Sequence, residues 1–148
     1  MPEKKTVDLA RKDAREGKSP STQAGEFVRE EIEHVREGKH GARSTKQAIA
    51  IGLSKARRAG VKLAPPKSGS EETKAQARRD TKKGEAGSRK TATIRSRATS
   101  QALKREGHES ASRSALSRQA RTSARHRTSE SRSRAAGKAP RTRAQHRS

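Results

Sequence analysis

The sequence contains no cysteine, no tryptophan and no tyrosine, and Phe27 is its one phenylalanine. Without cysteine, the chain forms no disulfide and offers no thiolate for catalysis or metal binding. No apolar run approaches the roughly 18 residues that a membrane-spanning helix needs. The N-terminal residues also lack the apolar segment of a secretory signal. These absences lead us to expect a cytoplasmic protein with no membrane partner.

Sequence motifs of common enzyme classes are also missing. There is no G-x-S-x-G nucleophile elbow, no H-E-x-x-H zinc motif and no complete phosphate-binding P-loop. The histidines show no metal-ligand spacing, so we expect all five to be surface residues. They are His34, His40, His108, His126 and His146. The sequence therefore predicts no enzymatic activity, no bound metal and no cofactor.

Positive charge is what the sequence has in excess. Lys and Arg number 38 against 16 Asp and Glu, which gives a formal net charge of +22. Such a charge favours nucleic acid as the partner, ahead of an acidic protein or an anionic membrane. Because single-strand binders stack bases on aromatic side chains, the lack of aromatics favours duplex DNA or structured RNA.

Large apolar residues are concentrated in the first part of the chain. Residues 1–66 carry a net charge of +6, and residues 67–148 carry +16 with few large apolar side chains. We predict a helical module over 1–66 with its core segment at 22–63. A long, largely disordered basic tail rich in Arg, Ser and Ala follows over 67–148, because too little apolar surface is present to offset ordering entropy. Two Ala-rich stretches, 91–106 and 110–127, are expected to form helices when their charge is neutralised.

The periodicity of the module predicts a mainly α fold. A short helix lies within residues 1–20, capped by Thr6 and ended by Gly17. A second helix over 22–37 and a third helix after Ser44 fold back as a hairpin. Gln47 completes a capping box for the third helix, and Gly60 ends it. The apolar stripes of the hairpin are Ala24, Phe27, Val28, Ile32 and Val35 in one helix and Ala48, Ile49, Gly52, Leu53 and Ala56 in the other.

Two features of the hairpin depend on close contact between its helices. Gly52 lies on the apolar side, which indicates a close approach of the partner helix. Four glutamates share one face of the second helix, and Glu31 falls inside its apolar stripe. This face is either a solvated surface or a clamp on the basic third helix. The four are Glu26, Glu30, Glu33 and Glu37.

The loop Gly38–Gly41 is a G-x-x-G sequence before a helix N-terminus. Two glycines and the free N–H groups of the helix are able to hold a phosphate, and a plain basic loop is the alternative. Cations lie beside both ends of the third helix, and arginines recur in the tail. The predicted nucleic-acid-binding residues are Lys39, His40, Arg43, Lys46, Arg57, Arg58, Arg113, Arg118, Arg121, Arg125, Arg127, Arg132 and Arg134.

Residues 22–63 resemble a segment shared by small basic bacterial proteins of unassigned function, often labelled DNA-binding or plasmid-stabilisation proteins. The resemblance is most specific at GKHG and STKQAIAIGLSKARRAG. It implies a bacterial cytoplasmic protein and carries no established active site onto these residues. The tail is similar to histone-like tails in composition alone.

The combined interpretation is a non-enzymatic, histone-like protein that binds DNA largely independently of sequence, by phosphate neutralisation, in the nucleoid. An alternative interpretation is an RNA- or ribosome-associated basic protein, because the same attraction to phosphates would operate there. A helical protein-interaction module is a further alternative, because the thin core of residues 1–66 would gain burial from self-association as a homo-oligomer.

Overall fold

The computed structural model describes residues 2–87 and 93–127, together with Ser129, Ser131, Ser133, Arg134 and Ala136. Within these residues the fold is mainly α, as predicted, and contains no strand. They form two compact units, Met1–Ser112 and Arg113–Ser148. The helices are α1 (Lys4–Arg15), α2 (Pro20–Arg36), α3 (Thr45–Arg58), α4 (Glu71–Glu85), α5 (Thr93–Lys104) and α6 (Arg113–Arg125), with a 3-10 turn at Glu109–Ala111.

The α2–α3 hairpin is the centre of the first unit. α1 packs on α2, α4 packs on α3, and the 3-10 turn contacts both hairpin helices. One apolar cluster surrounds the fully buried Phe27, and a second surrounds Val35. Both clusters are built largely from alanine, so the helices approach closely and each buried side chain contributes little area. Their buried members are Ala10, Ala24, Phe27, Ala56 and Val61 in the first cluster and Val35, Ala42, Ala48 and Ala111 in the second.

The ends of α3 follow the sequence prediction. Ser44 Oγ accepts from the Gln47 N–H at 3.1 Å, and Gln47 Oε1 accepts in return from the Arg43 N–H. At the other end Gly60 adopts a φ of 101°, its N–H donates to Arg57, and the Val61 N–H donates to Ala56. This pair of bonds is a Schellman ending, and it confirms the prediction that Gly60 ends the helix.

The predicted cap of α1 was wrong. Glu3 is the N-cap residue, and Thr6 lies inside the helix with its side chain buried. The helix begins earlier because the Val7 N–H donates to the Glu3 carbonyl at 3.2 Å, and the Glu3 N–H donates to Glu30 Oε1 at 2.8 Å. The predicted end at Gly17 is confirmed, since Gly17 has a φ of 74°.

The first compact unit extends past Pro66. α4, which the sequence analysis did not predict, buries Ala77 and Asp80 against α3. Ser70 caps α4 by accepting from the Thr73 N–H at 3.2 Å. α5 and α6 fall within the two stretches, 91–106 and 110–127, where helices on neutralisation were expected.

Candidate nucleic-acid interface

The loop before α3 uses its N–H donors within the protein. The N–H groups of Arg43 and Gln47 donate to side chains of the capping box. The Gly41 N–H donates to the Leu103 carbonyl at 2.8 Å, and the Ala42 N–H donates to the Gly107 carbonyl at 3.0 Å. The end of α5 therefore packs on the G-x-x-G loop. The sequence suggested a phosphate-binding site at this place.

Lys39 and His40 lie in the same loop and also have partners. Lys39 Nζ is 3.2 Å from Glu37 Oε2 and 3.3 Å from Glu3 Oε1. These hydrogen bonds, first with Glu37 and then with Glu3, raise the pKa of Lys39. His40 Nε2 is 3.0 Å from Glu31 Oε2, and its side chain is largely buried. Both side chains thus contact carboxylates of the same chain.

Arg43 and Lys46 remain exposed beside α3. The Arg43 side chain is 80% exposed, and its Nε lies 3.8 Å from Glu106 Oε1. Lys46 is exposed, and no ion pair involves it within the part of the chain that the structure describes. Both side chains are therefore accessible to an anion.

Arg57 and Arg58, at the end of α3, have structural partners. Arg57 is buried, and its guanidinium donates to the carbonyl oxygens of Leu63 and Ala64 at 3.3 and 3.1 Å. Burial lowers the pKa of Arg57, and Asp80 acts in the opposite direction. Arg58 Nε is 2.8 Å from Oδ1 of the buried Asp80. Arg57 therefore holds the segment after α3 in place through its hydrogen bonds. Arg58 links α3 to α4 through its ion pair.

The outer face of α4 carries a basic patch that the sequence analysis missed. Arg78 and Lys82 are four residues apart, as are Arg79 and Lys83, so each pair shares a side of the helix. All four side chains are exposed, while Ala77 and Asp80 face inward. We call Arg78, Arg79, Lys82 and Lys83 the α4 patch.

In the second unit, α6 presents a basic stripe. Arg118, Arg121 and Arg125 follow at spacings of three and four residues, which places them on one face of the helix. All three are exposed. We call these three residues the α6 stripe. Arg113, at the start of α6, is exposed as well.

The remaining predicted arginines follow α6. Arg127 and Arg134 are exposed. Arg132 lies outside the described residues. In the first unit the predicted residues Lys39, His40, Arg57 and Arg58 thus have partners, while Arg43 and Lys46 are exposed. The predicted arginines that the structure describes in the second unit are all exposed.

Two histidines lie together at the end of α2, contrary to the expectation that they are surface residues. The side chains of His34 and His40 are 14% and 15% exposed, and their ring centroids are 6.0 Å apart at an angle of 82°. Both face Glu31, whose side chain is 1% exposed. Lys55 of α3 contacts Glu31 Oε1, the oxygen that faces His34, while Oε2 faces His40. Glu31 is not one of the four glutamates of the acidic face, so this contact is separate from the predicted clamp. Of those four, Glu26 and Glu30 are buried, and Glu33 and Glu37 are exposed.

Two further observations bear on the type of partner. The sequence contains one phenylalanine, Phe27, and no tyrosine or tryptophan. Phe27 is fully buried, so it is not able to stack on a base. Among the described residues, no helix combines the length and the apolar character required to cross a membrane.

Comparisons with known proteins give one match. Residues 17–69 match the model of a family described as Family of unknown function (DUF6496). The matched segment holds α2, the loop through Gly41 and α3. This agrees with the resemblance to proteins of unassigned function. No curated protein and no solved structure matches the chain.

Proposed function

We propose that this protein binds duplex DNA without enzymatic activity and largely independently of sequence, by neutralising backbone phosphates. The α6 stripe is the observation that carries the proposal. Its three guanidinium groups lie along about 10 Å of helix, given a rise of about 1.5 Å per residue. Duplex DNA carries about one phosphate charge per 1.7 Å of axis, so the stripe spans about six phosphate charges.

The second unit has the charge that such binding needs. Residues 113–148 hold eleven Lys or Arg residues and one Glu, which gives a net charge of +10. An isolated basic helix repels itself in water, and phosphate contacts relieve that repulsion. This part of the chain therefore supplies most of the affinity in the proposal.

The first unit contributes a smaller basic surface. The α4 patch is held in place because Asp80 of the same helix binds Arg58 and accepts from Ser54 Oγ at 2.7 Å. Arg43 and Lys46 add two exposed cations near the start of α3. Other cations of this unit are used in internal pairs, so its contribution to binding is the lesser one.

The burial of Phe27 supports a duplex rather than a single strand as the partner. Single-strand binders gain about 1–3 kcal/mol per base from stacking on aromatic side chains. Among the described residues, we identify no exposed helix face with a set of Asn, Gln and Arg side chains arranged to read base edges. In this proposal the protein acts in the bacterial nucleoid as a histone-like protein.

A salt titration of the full-length protein tests the proposal. Affinity for a random DNA duplex and for an RNA duplex of equal length is measured at several salt concentrations. We expect tight DNA binding with a log–log salt slope of several units, since each neutralised phosphate contributes about −0.9. A salt-insensitive affinity would contradict phosphate neutralisation. A clear preference for the RNA duplex would assign the protein to RNA instead.

Self-association is read from the same samples. Sedimentation of the free protein and of the complex shows whether binding involves one chain or several. A dimer that forms without DNA would favour the protein-interaction alternative, because it would show that the helices complete their burial in a second copy.

A further inference from the structure

The ring of His40 has an oxygen acceptor at each nitrogen. Nδ1 lies 2.9 Å from the Gly41 carbonyl oxygen, and Nε2 lies 3.0 Å from Glu31 Oε2. A neutral imidazole carries one N–H donor, so it is able to satisfy only one of these contacts. Because Glu31 Oε2 accepts no hydrogen bond in the protein, the proton is assigned to Nδ1, which donates to the Gly41 carbonyl oxygen. A second cation, either a proton or a metal ion, is then needed between Nε2 and Glu31.

His34 repeats this arrangement from the other side of Glu31. Its Nε2 lies 3.1 Å from Glu3 Oε1 and 3.7 Å from Glu30 Oε1, so these carboxylates hold the proton on Nε2. The unprotonated Nδ1 then lies 3.9 Å from Glu31 Oε1. Histidines that bind metals typically donate their other N–H to a carboxylate or a backbone carbonyl, which fixes the tautomer. His34 has the first kind of partner, and His40 has the second.

The carboxylate between the two histidines has an unused acceptor. Glu31 is fully buried, and its Oε2 accepts no hydrogen bond in the protein. Lys55 contacts Oε1, which leaves Oε2 directed towards His40. An unsatisfied oxygen of a buried carboxylate is costly, and a cation beside it removes that cost.

We propose that Glu31, His34 and His40 form a binding site for a divalent first-row transition metal ion such as Zn²⁺. One ligand atom from each residue lies within 4.8 Å of the others. Tetrahedral zinc with bonds of about 2.0–2.1 Å holds its ligands about 3.3 Å apart, so small side-chain rotations close the site. Imidazole and carboxylate donors suit zinc better than magnesium or calcium.

A neighbouring group competes for His34 but fits a metal less well. Glu3, Glu30 and His34 also bring ligand atoms within 4.8 Å of one another. In this group Glu30 Oε1 accepts from the Glu3 N–H, and Glu3 Oε1 is shared with Lys39. The Oε1 atoms of both carboxylates thus already have donors, whereas the buried Glu30 Oε2 accepts no hydrogen bond. They hold the ring of His34, and the metal lies on the Glu31 side.

The site would join segments that otherwise pack through a small, alanine-rich core. Glu31 and His34 belong to α2, His40 belongs to the loop before α3, and Glu3 precedes α1. A bound ion fixes these segments without enlarging the alanine-rich core. Metal binding should therefore raise the thermal stability of the first unit.

The test is titration of the full-length protein with Zn²⁺, and with Co²⁺ as a coloured probe. We expect one ion per chain, a visible Co²⁺ spectrum of a low-coordinate site, and a rise in Tm with Zn²⁺. His34→Ala and His40→Ala should each abolish the Co²⁺ spectrum. His126→Ala, which changes an exposed histidine of the second unit, should leave spectrum and stoichiometry unchanged.

A second pair of variants tests whether Glu3 acts by positioning His34, without itself binding the metal. Glu3→Gln weakens the acceptor that orients His34 and should lower Zn²⁺ affinity about 10- to 100-fold. Glu37→Gln is the matched control, because Glu37 shares Lys39 with Glu3. His34 forms its ion pairs with Glu3, Glu30 and Glu31. We expect its Zn²⁺ affinity to equal that of the parent protein.

Ring-nitrogen NMR of the unmodified protein keeps the proposal testable if a variant fails to fold. Zn²⁺ should shift the signals of His34 Nδ1 and His40 Nε2 and leave those of His108 and His126 in place. The proposal is overturned if Zn²⁺ shifts all the histidine signals alike, or none of them. A His40 ring that carries two protons in the presence of excess Zn²⁺ would show that a proton, and not a metal ion, lies beside Glu31.

Discussion

Gly52 of α3 lies so close to Val28 of α2 that a β-carbon added at Gly52 would be 2.6 Å from the Val28 Cα. The two helices therefore touch through their main chains. This confirms the sequence prediction that Gly52 permits a close approach. It also explains how a core with few large side chains excludes water at the centre of the hairpin.

Gly52→Ala should therefore destabilise the protein. Alanine gains about 1 kcal/mol of helix propensity over glycine. Overpacking against a main chain typically costs about 1–3 kcal/mol, and the main chain of Val28 has no rotamer with which to move aside. We expect a lower midpoint of urea unfolding for Gly52→Ala than for the parent protein.

Gly25→Ala in α2 is the matched control. A β-carbon at Gly25 meets nothing within 4 Å, and Gly25 is exposed in a helix interior. This substitution should raise stability by about 0.4–1 kcal/mol. Equal effects of the two substitutions would contradict the close approach of α2 and α3.

Gly41 provides a second close approach, in this case between the loop before α3 and the end of α5. A β-carbon at Gly41 would overlap the carbonyl oxygen of Glu106. Gly41→Ala should displace the chain around Glu106 and break the bonds from the amides of residues 41 and 42. Hydrogen exchange at these two amides should become faster.

Gly107→Ala is the control for this prediction. Gly107 adjoins the same contact, but a β-carbon there meets nothing within 4 Å. Protection at residues 41 and 42 should persist in this variant. If Gly41→Ala also keeps both amides protected, α5 does not dock on the loop.

Asp80 gives the first unit a pH dependence with a definite sign. Burial alone would raise the pKa of Asp80, but hydrogen bonds from Ser54, Arg58 and Gln76 together lower it below its usual value. Its contribution to stability is therefore present above the unfolded-state pKa of about 3.9. That contribution is lost as the pH falls through the lower folded-state pKa.

Asp80→Asn should lower stability at pH 7 and reduce the loss of stability on acidification below about pH 4. Urea unfolding at pH 7 and at pH 3 measures both effects. Asp8→Asn is the control, because Asp8 is exposed on α1. If Asp80→Asn shows the same pH dependence as the parent protein, the carboxylate does not anchor α4 as an ion.

The α2–α3 hairpin was predictable because its signals are local. Caps at Ser44 and Gly60 and an apolar period of 3.6 residues fix the helix ends and the buried face. α4 was missed because it buries a small, partly polar face, in which Ala77, Asp80 and Gly84 replace large apolar residues. Its cap at Ser70, with acidic residues in the first turn and lysines in the last, is the local signal that would have indicated it.

The histidine cluster was not predictable from spacing. His34 and His40 are six residues apart, and helical periodicity does not place such residues together. They meet because α2 ends between them: Gly38 adopts a φ of 75°, and the Lys39 N–H donates to the His34 carbonyl at 3.0 Å. The chain then turns back and brings His40 to the buried face of α2.

The last prediction concerns the α6 stripe. Replacing Arg118, Arg121 and Arg125 together by Gln removes three exposed charges, while Gln and Arg have similar helix propensities. If each arginine neutralises one phosphate, the log–log salt slope for duplex DNA should fall by about 2.7. The same replacement of Lys39, Arg43 and Lys46 should change the slope less, because Lys39 is shared between Glu3 and Glu37.

Replacing the same three arginines by Lys is the control for charge. If phosphate neutralisation governs binding, the Lys variant should keep the salt slope of the parent protein. Circular dichroism of all three variants should show the same helix content. An unchanged slope in the Gln variant would mean that α6 does not contact DNA. A Lys variant as weak as the Gln variant would mean that the guanidinium geometry, rather than its charge, holds the phosphates.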